Sequence, residues 1–204
     1  INKIIFSLGF MNEKIIDYLN NCTISIEIEY VIENVPLGTG GGIKKAINIA
    51  SSENVLIINA DTFFDVNIDN LYFEHSKCNA ICSIALKKMI NFDRYGTVTL
   101  KKNKIQNFEE KRRMRKGLIN GGVILLNKSK FLSFDLSDKF SFESDFLSVN
   151  TKEKLIFGFE SKGYFIDIGV PDDYNKAHDE LEKFFIKFST NSFQMRISYN
   201  WLKD

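Results

Sequence analysis

Apolar and polar positions along the chain fall into two regimes. In the first, short apolar runs alternate with segments of helical period. Lys3 to Leu8 reads as a short apolar strand that stops at Gly9. Asn12 to Leu19 places Ile15, Ile16 and Leu19 on one helical face, with Asn12 as N-cap and Asn20-Asn21 as the exit. Ile24, Ile26, Ile28 and Tyr30 then alternate with Ser25, Glu27 and Glu29, the period of a strand with one wetter face. Pro36 to Gly42 interrupts, and the pattern predicts a helix from Ile43 through Ile49 toward Ser52. Val55-Leu56-Ile57-Ile58 follows as a continuous apolar run that leads through Asn59 and Ala60 to Asp61. Such a run predicts a buried central parallel strand with helices on both faces, and the whole alternation is that of βαβ units.

The second regime is richer in strands. Asn79 to Lys87 is an apolar strand, and Gly96 to Leu100 with Lys104 to Glu109 predicts a hairpin around Lys101-Lys102-Asn103. Leu118 to Leu126, Lys154 to Phe159 and Tyr164 to Ile168 are further strands, and the helical pattern returns from Asp172 to Phe185. Few helices interrupt, so the expected architecture is α/β, with a mixed sheet extended into a smaller β-rich lobe over the ligand-binding edge. Phe131, Phe134, Phe140, Phe142 and Phe146 read as core and lobe packing.

Composition narrows the function classes. The 204 residues fit one domain with a substantial core. A net charge of +1, from 27 basic and 26 acidic residues, gives no global pull toward nucleic acid or an anionic membrane, so neither is an expected partner. No apolar run reaches the roughly 18 to 20 residues that span a bilayer. Cys22, Cys78 and Cys82 are an odd number without metal spacing, which predicts reduced thiols, mostly in the core, and a cytoplasmic protein. His75 and His178 lack partners at ligand spacing and are expected to be surface or satisfied groups. The run Lys111-Arg112-Arg113-Met114-Arg115-Lys116 reads as a solvated loop or a mobile phosphate-binding loop, since no aromatic residue is interleaved as nucleic-acid binding would require.

Two features carry candidate chemistry. Gly38, Gly40, Gly41 and Gly42 crowd five positions between a strand and a helix, where absent Cβ atoms let backbone approach something flat or anionic, or merely make a turn. The spacing matches neither a Walker loop nor a dinucleotide fingerprint. Asp61 and Asp167 each sit at or near the end of an apolar strand, and two such carboxylates converging would suit Mg²⁺, which takes one or two protein carboxylates and completes its shell with water and phosphate oxygens. The plainer alternative is that each aspartate opens a turn.

Six segments taken together resemble a known family. Val35-Pro36-Leu37-Gly38-Thr39-Gly40-Gly41, Asn59-Ala60-Asp61, Tyr95-Gly96-Thr97-Val98, Phe108-Glu109-Glu110-Lys111, Ile119-Asn120-Gly121-Gly122-Val123 and Phe165 to Tyr174 come in the order and at about the spacing of the sugar-1-phosphate nucleotidyltransferases. Within that family the chain is most similar to the D-glycero-D-manno-heptose 1-phosphate guanylyltransferases, which make GDP-heptose for bacterial surface polysaccharide. The resemblance covers residues 1 to 185 and implies a Rossmann-like three-layer mixed sheet of the nucleotide-diphospho-sugar transferase type. It implies that Glu33, Pro36, Leu37, Gly38, Thr39, Gly40, Gly41 and Ala60 bind the guanine nucleotide. Asp61 and Asp167 would hold Mg²⁺, and Lys111 would grip the sugar phosphate. Tyr95, Gly96, Glu110, Asn120, Gly121 and Glu143 would line the sugar pocket. The implied substrates are GTP and a heptose 1-phosphate. The alternatives are another nucleotide-sugar pyrophosphorylase, acting on mannose or glucose 1-phosphate, and a non-catalytic sugar-nucleotide-binding regulatory subunit.

The sequence departs from the family pattern at one place. The family's glycine-rich loop ending in arginine, followed by a Pro-Lys pair, is not found, since Gly9 precedes Phe10-Met11-Asn12. Ile1 matches the start of the family's second strand in type, so the expectation is a truncated sequence whose central sheet lacks an inner strand. Residues 186–204 lie beyond the resemblance. Their Ile186, Phe188, Phe193, Ile197 and Trp201 suggest packing on the second lobe or on another subunit, as in a homodimer.

Overall fold

The computed structural model describes residues 1–109, 111–151 and 155–189. The chain opens with a βαβ unit: β1 (Lys3–Leu8), α1 (Asn12–Asn20) and β2 (Glu27–Ile32). β1 and β2 pair in parallel from Lys3 against Glu27 to Leu8 against Ile32, and form a two-stranded sheet of their own. Asn12 is the first helical residue rather than the cap. Met11 precedes it in the left-handed region, and the Asn12 side chain donates to the Gly9 carbonyl at 2.8 Å.

α2 (Gly38–Ile49) begins five residues earlier than its apolar period predicts, because the glycines form its first turn. Gly40, Gly41 and Gly42 are buried, and a Cβ on Gly40 would lie 2.2 Å from the Phe140 ring. The missing side chains let the segment around Phe140 lie directly on the helix start, which outweighs the poor helix propensity of glycine.

β3 (Asn54–Ile58) is not the central parallel strand that its apolar run predicts. It pairs antiparallel with β8 (Met114–Asn127), and among the described residues it has no strand on its other side. Ile58 is accordingly 56% exposed. A continuous apolar run reports burial of both faces and says nothing about strand direction.

The centre of the sheet is β8 together with β5 (Cys82–Phe92). The remaining strands up to β9 are β4 (Thr62–Phe64), which forms a separate pair described below, β6 (Thr97–Lys101), β7 (Lys104–Glu109) and β9 (Ile156–Ser161). The six-stranded order is β3-β8-β5-β9-β7-β6, with β5 and β9 parallel and the other ladders antiparallel. β6 also touches β8 where Val98 pairs with Leu118, so the second lobe curls back on itself. β6 and β7 form the expected hairpin, with Lys102 and Asn103 at positive φ in its turn. Met114, Arg115 and Lys116 belong to β8, paired with β5, so the basic run is a loop only in its first half.

Burial along β8 alternates with the period of a strand. Ile124 and Leu126 join one core cluster with Ile84, Leu86, Phe131, Phe142 and Phe146, whereas Val123 and Leu125 join another with Phe64, Leu71 and Ala85. Both sheet faces are therefore covered. One cover is α2 with α4 (Lys128–Leu132), a π-helical turn (Phe142–Leu147) and α5 (Ser148–Asn150). On the other side lies α3 (Ile68–Lys77), which the apolar pattern does not predict. Its N-terminus is marked by Asn67, whose side chain accepts from the Asn70 N–H at 2.8 Å.

β10 (Phe165–Asp167) and α6 (Pro171–Ser189) complete the described fold. The expected packing or dimer role of residues 186–204 falls on side chains outside the described residues, as does Glu110. No described helix is long and apolar enough to cross a membrane. Of the three cysteines, only Cys82 is fully buried, while Cys22 and Cys78 are half-buried.

His75 is the one buried imidazole, 2% exposed on α3 and hydrogen-bonded through Nδ1 to Ser83 Oγ at 2.8 Å. Burial, helped by the Lys130 charge, pushes its pKa down from 6.5 to about 4. As pH falls from 6.5 toward 4 the unfolded chain takes up a proton that the folded chain refuses, so stability is lost through that window. Chemical denaturation across it should show a smaller acid-side loss for His75→Gln than for the parent protein. Equal losses would contradict a neutral buried His75.

Candidate active site

The site is assembled by a short strand pair that stands apart from the main sheet. β4 and β10 run antiparallel, with Phe64 opposite Phe165, Phe63 opposite Ile166 and Thr62 opposite Asp167. Asp61 therefore lies one residue from the position facing Asp167, and its carbonyl accepts the Ile168 N–H at 2.9 Å. The two aspartates, distant in sequence, form part of one wall of a cavity of about 690 Å³.

Each aspartate is held locally. Asp61 Oδ1 accepts from the Thr62 hydroxyl at 3.1 Å, and Asp167 Oδ1 accepts the Gly169 N–H at 2.7 Å. Asp167 Oδ2 faces Arg94, whose guanidinium approaches to 3.5 Å. Arg94 also donates to Asp173 Oδ2 at 2.7 Å and to the Tyr95 hydroxyl at 2.9 Å. Tyr95 hydrogen-bonds Asp167 as well, and burial followed by the Asp167 charge pushes its pKa up to about 12. It is thus a neutral hydrogen-bonding group, with its ring set edge-on against Phe165.

The opposite wall comes from β8 and the π-helical turn. Asn120 donates through Nδ2 to Glu143 Oε1 at 2.9 Å, and its Oδ1 accepts the Gly122 N–H at 3.0 Å. Glu143 is fixed in turn by Ser148, whose N–H and hydroxyl both donate to the Glu143 carbonyl, the hydroxyl at 2.9 Å. That i to i+5 bond is what widens the turn, and such turns are frequent at functional sites. It buries Phe142, Phe146 and Leu147 on one side and presents Glu143 and Ser144 to the cavity on the other.

The structure thus brings Asp61, Asp167, Tyr95, Gly96, Lys111, Asn120 and Glu143 to one cavity. Gly121 lies behind the lining, buried where a Cβ would strike the Phe64 ring at 2.3 Å, so its bareness admits β4 against β8. The stretch from Pro36 to Gly41 is also outside the lining. Leu37 O accepts from Phe140 N and Gly40 N donates to Phe140 O, both at 3.0 Å, while Thr39 Oγ1 accepts from Phe142 N at 2.9 Å. Glu33 supports this stretch from behind, accepting from Leu37 N at 3.0 Å and from the Ser7 hydroxyl at 3.1 Å. Arg94, Ser141, Ser144 and Ser148 line the cavity without having been singled out by any motif. A lone arginine directly before Tyr95-Gly96 was the only available signal for the first.

Four carboxylates in the lining, Asp61, Glu109, Glu143 and Asp167, face two cations, Arg94 and Lys111. Glu109 is already paired with Arg112 at 2.6 Å, whereas Lys111 has no ion pair among the described residues. Among the described residues no three or more His, Cys, Asp or Glu side chains stand close enough together to hold a metal ion by themselves. Two hard oxygen donors on a wet cavity wall suit a Mg²⁺ that keeps water and phosphate ligands, and do not suit a closed zinc cage.

The family model described as nucleotidyl transferase matches residues 2–183. The chain is 46% identical over 184 residues to a D-glycero-alpha-D-manno-heptose 1-phosphate guanylyltransferase of Aneurinibacillus thermoaerophilus, covering 90% of this chain and 80% of that one. A protein of the same description from Campylobacter jejuni is 43% identical over 175 residues, 85% of this chain and 76% of its own. Among solved structures, HddC from Yersinia pseudotuberculosis complexed with GMP-PN superposes with a TM-score of 0.78 at 33% identity, covering 89% of this chain and 79% of that one.

Gly122 links the two walls. It has φ of 74°, its carbonyl accepts the Asn59 N–H at 2.9 Å, and an added Cβ would sit 3.1 Å from the Asn59 side chain. Gly122→Ala should therefore lower stability by about 1–2 kcal/mol in urea unfolding, since a left-handed backbone is strained for alanine. An unchanged midpoint would contradict the strain.

Proposed function

The chain belongs to the nucleotidyl transferase family, and from that footing we propose that it transfers GMP from GTP to a heptose 1-phosphate, giving GDP-heptose and pyrophosphate. A sugar-phosphate oxygen attacks the α-phosphorus of GTP, forming one P–O bond as the bond to the pyrophosphate leaving group breaks. Such a step needs positioned charge and in-line geometry more than it needs acid or base groups. The observation that carries the reading is the register of β4 on β10, which sets Asp61 beside Asp167 on the wall of a polar cavity.

Asp61 and Asp167 would hold Mg²⁺, which when bound screens the repulsion between the two phosphate-bearing substrates. Lys111, lacking a carboxylate partner among the described residues, supplies a cation for the sugar phosphate. Asn120 and Glu143, already joined at 2.9 Å, offer an amide and a carboxylate to sugar hydroxyls, with Tyr95 and Gly96 lining the same cavity. Pro36 to Thr39, at the accessible start of α2, and the exposed Ala60 would meet the base and ribose, while the buried Gly40 and Gly41 serve by admitting the Phe140 segment. The contribution of Glu33 is to fix that stretch through the Leu37 N–H. A GTP-consuming biosynthetic step fits a cytoplasmic setting.

The test is pyrophosphate release by the protein with each NTP against heptose, mannose and glucose 1-phosphates. Activity should be highest with GTP and the heptose, and Asp61→Asn should lower it by at least about 100-fold at saturating Mg²⁺. Turnover only with UTP or dTTP and glucose 1-phosphate would overturn the substrate assignment. Near-normal turnover by Asp61→Asn would overturn the role of Asp61.

A further inference from the structure

Arg94 stands between two carboxylates at the cavity wall and has no part in the chemistry above. Its contacts are unequal. Asp173, in the first turn of α6, takes Nη1 at 2.7 Å, and the Tyr95 hydroxyl takes Nη2 at 2.9 Å. The approach to Asp167 is longer, at 3.5 Å, and falls on Oδ2, because Oδ1 is occupied by the Gly169 N–H. Asp173 is therefore the anchor, and Asp167 is the partner that the guanidinium can yield.

Because Oδ1 already accepts the Gly169 N–H, a cation meeting Asp167 through Oδ2 would use the oxygen that Arg94 faces. A dication arriving there must share Oδ2 with a fixed positive charge or displace it. We propose that Arg94 is a positioning residue that competes with the divalent cation for Asp167, tethered by Asp173 so that it withdraws without leaving the site. Cation binding to the substrate-free protein is thereby held weak. It becomes strong when substrate phosphates add ligand oxygens and enough negative charge to outweigh the guanidinium. The cation then enters together with the nucleotide rather than before it. This inference rests on the assignment of Asp167 as a cation ligand.

The pairs are about one-fifth to one-third exposed, so the competition is modest in size. The test is titration of the substrate-free protein with Mn²⁺, free metal being read by electron paramagnetic resonance. Asp167→Asn should weaken binding, which identifies the site. Arg94→Gln should tighten it by about threefold to fivefold, the range expected for a partly exposed ion pair, while Arg94→Lys stays close to the parent. Asp173→Asn should move the other way, because an untethered Arg94 settles on Asp167. Opposite shifts from two members of one cluster are not what general loosening produces, and thermal unfolding of each variant checks for that loosening. Should Arg94→Gln fail to fold, Asp173→Asn and Arg94→Lys carry the test. An Arg94→Gln affinity equal to or weaker than the parent's, or an Asp173→Asn affinity equal to or tighter than the parent's, would overturn the proposal. If Asp167→Asn left Mn²⁺ affinity unchanged, the cation assignment would fail and the proposal with it. A clear Asp167→Asn effect beside an unresponsive Arg94→Gln would remove the role of Arg94 alone.

Discussion

Three residue pairs between β4 and β10 hold the site together. They join segments about a hundred positions apart, so the chain must close a long loop before the two aspartates meet. The pairing is secured by packing on both sides. Phe64 is buried against Ala85 and Val123, in space left by the bare Gly121, and Phe63 sets its ring edge-on to Phe184 and Phe185 of α6. The entry of the chain into β10 depends on another glycine, since a Cβ on Gly163 would sit 1.7 Å from the Asp65 carbonyl. The Asp65 N–H donates to the Tyr164 carbonyl at 2.8 Å beside it. A slip of one residue would turn Asp167 to the opposite face and dissolve the site, which explains why so much packing fixes so short a ladder.

The second constraint is the chain of hydrogen bonds across the cavity. Ser148 fixes the Glu143 carbonyl, Glu143 receives Asn120, Asn120 receives the Gly122 N–H, and the Gly122 carbonyl receives Asn59 two residues before Asp61. The glycine-rich start of α2 braces the far end through Thr39 and Phe142. The Asn120–Glu143 wall and the Asp61–Asp167 wall are therefore joined by a continuous run of hydrogen bonds, the kind of fixed spacing that positioning catalysis would require.

Much of this was legible in the sequence. The hairpin of β6 and β7, the apolar strands β5, β8 and β9 and the helix α6 follow from periodicity and turn residues, and Asp61 and Asp167 stood out as charges at strand ends. What escaped was set by tertiary contacts. The direction of β3 depends on its antiparallel partner β8, and the helical state of Gly38 to Gly42 depends on Phe140 lying against it. α3 carried a readable cap in Asn67 but interleaves polar residues with its apolar ones. Arg94 acquires its meaning only when α6 brings Asp173, and β10 brings Asp167, to its guanidinium.

The central claim is that Asp61 and Asp167 form a single cation site facing the sugar cavity. It is tested most directly by anomalous scattering from crystals of the protein grown with Mn²⁺ and a non-hydrolysable GTP analogue. One strong peak within ligand distance of both carboxylates is expected, about 2.1–2.3 Å from their oxygens as for small hard dications. A peak that touches neither aspartate, or one bound elsewhere in the cavity with Asp167 still on Arg94, would contradict the claim.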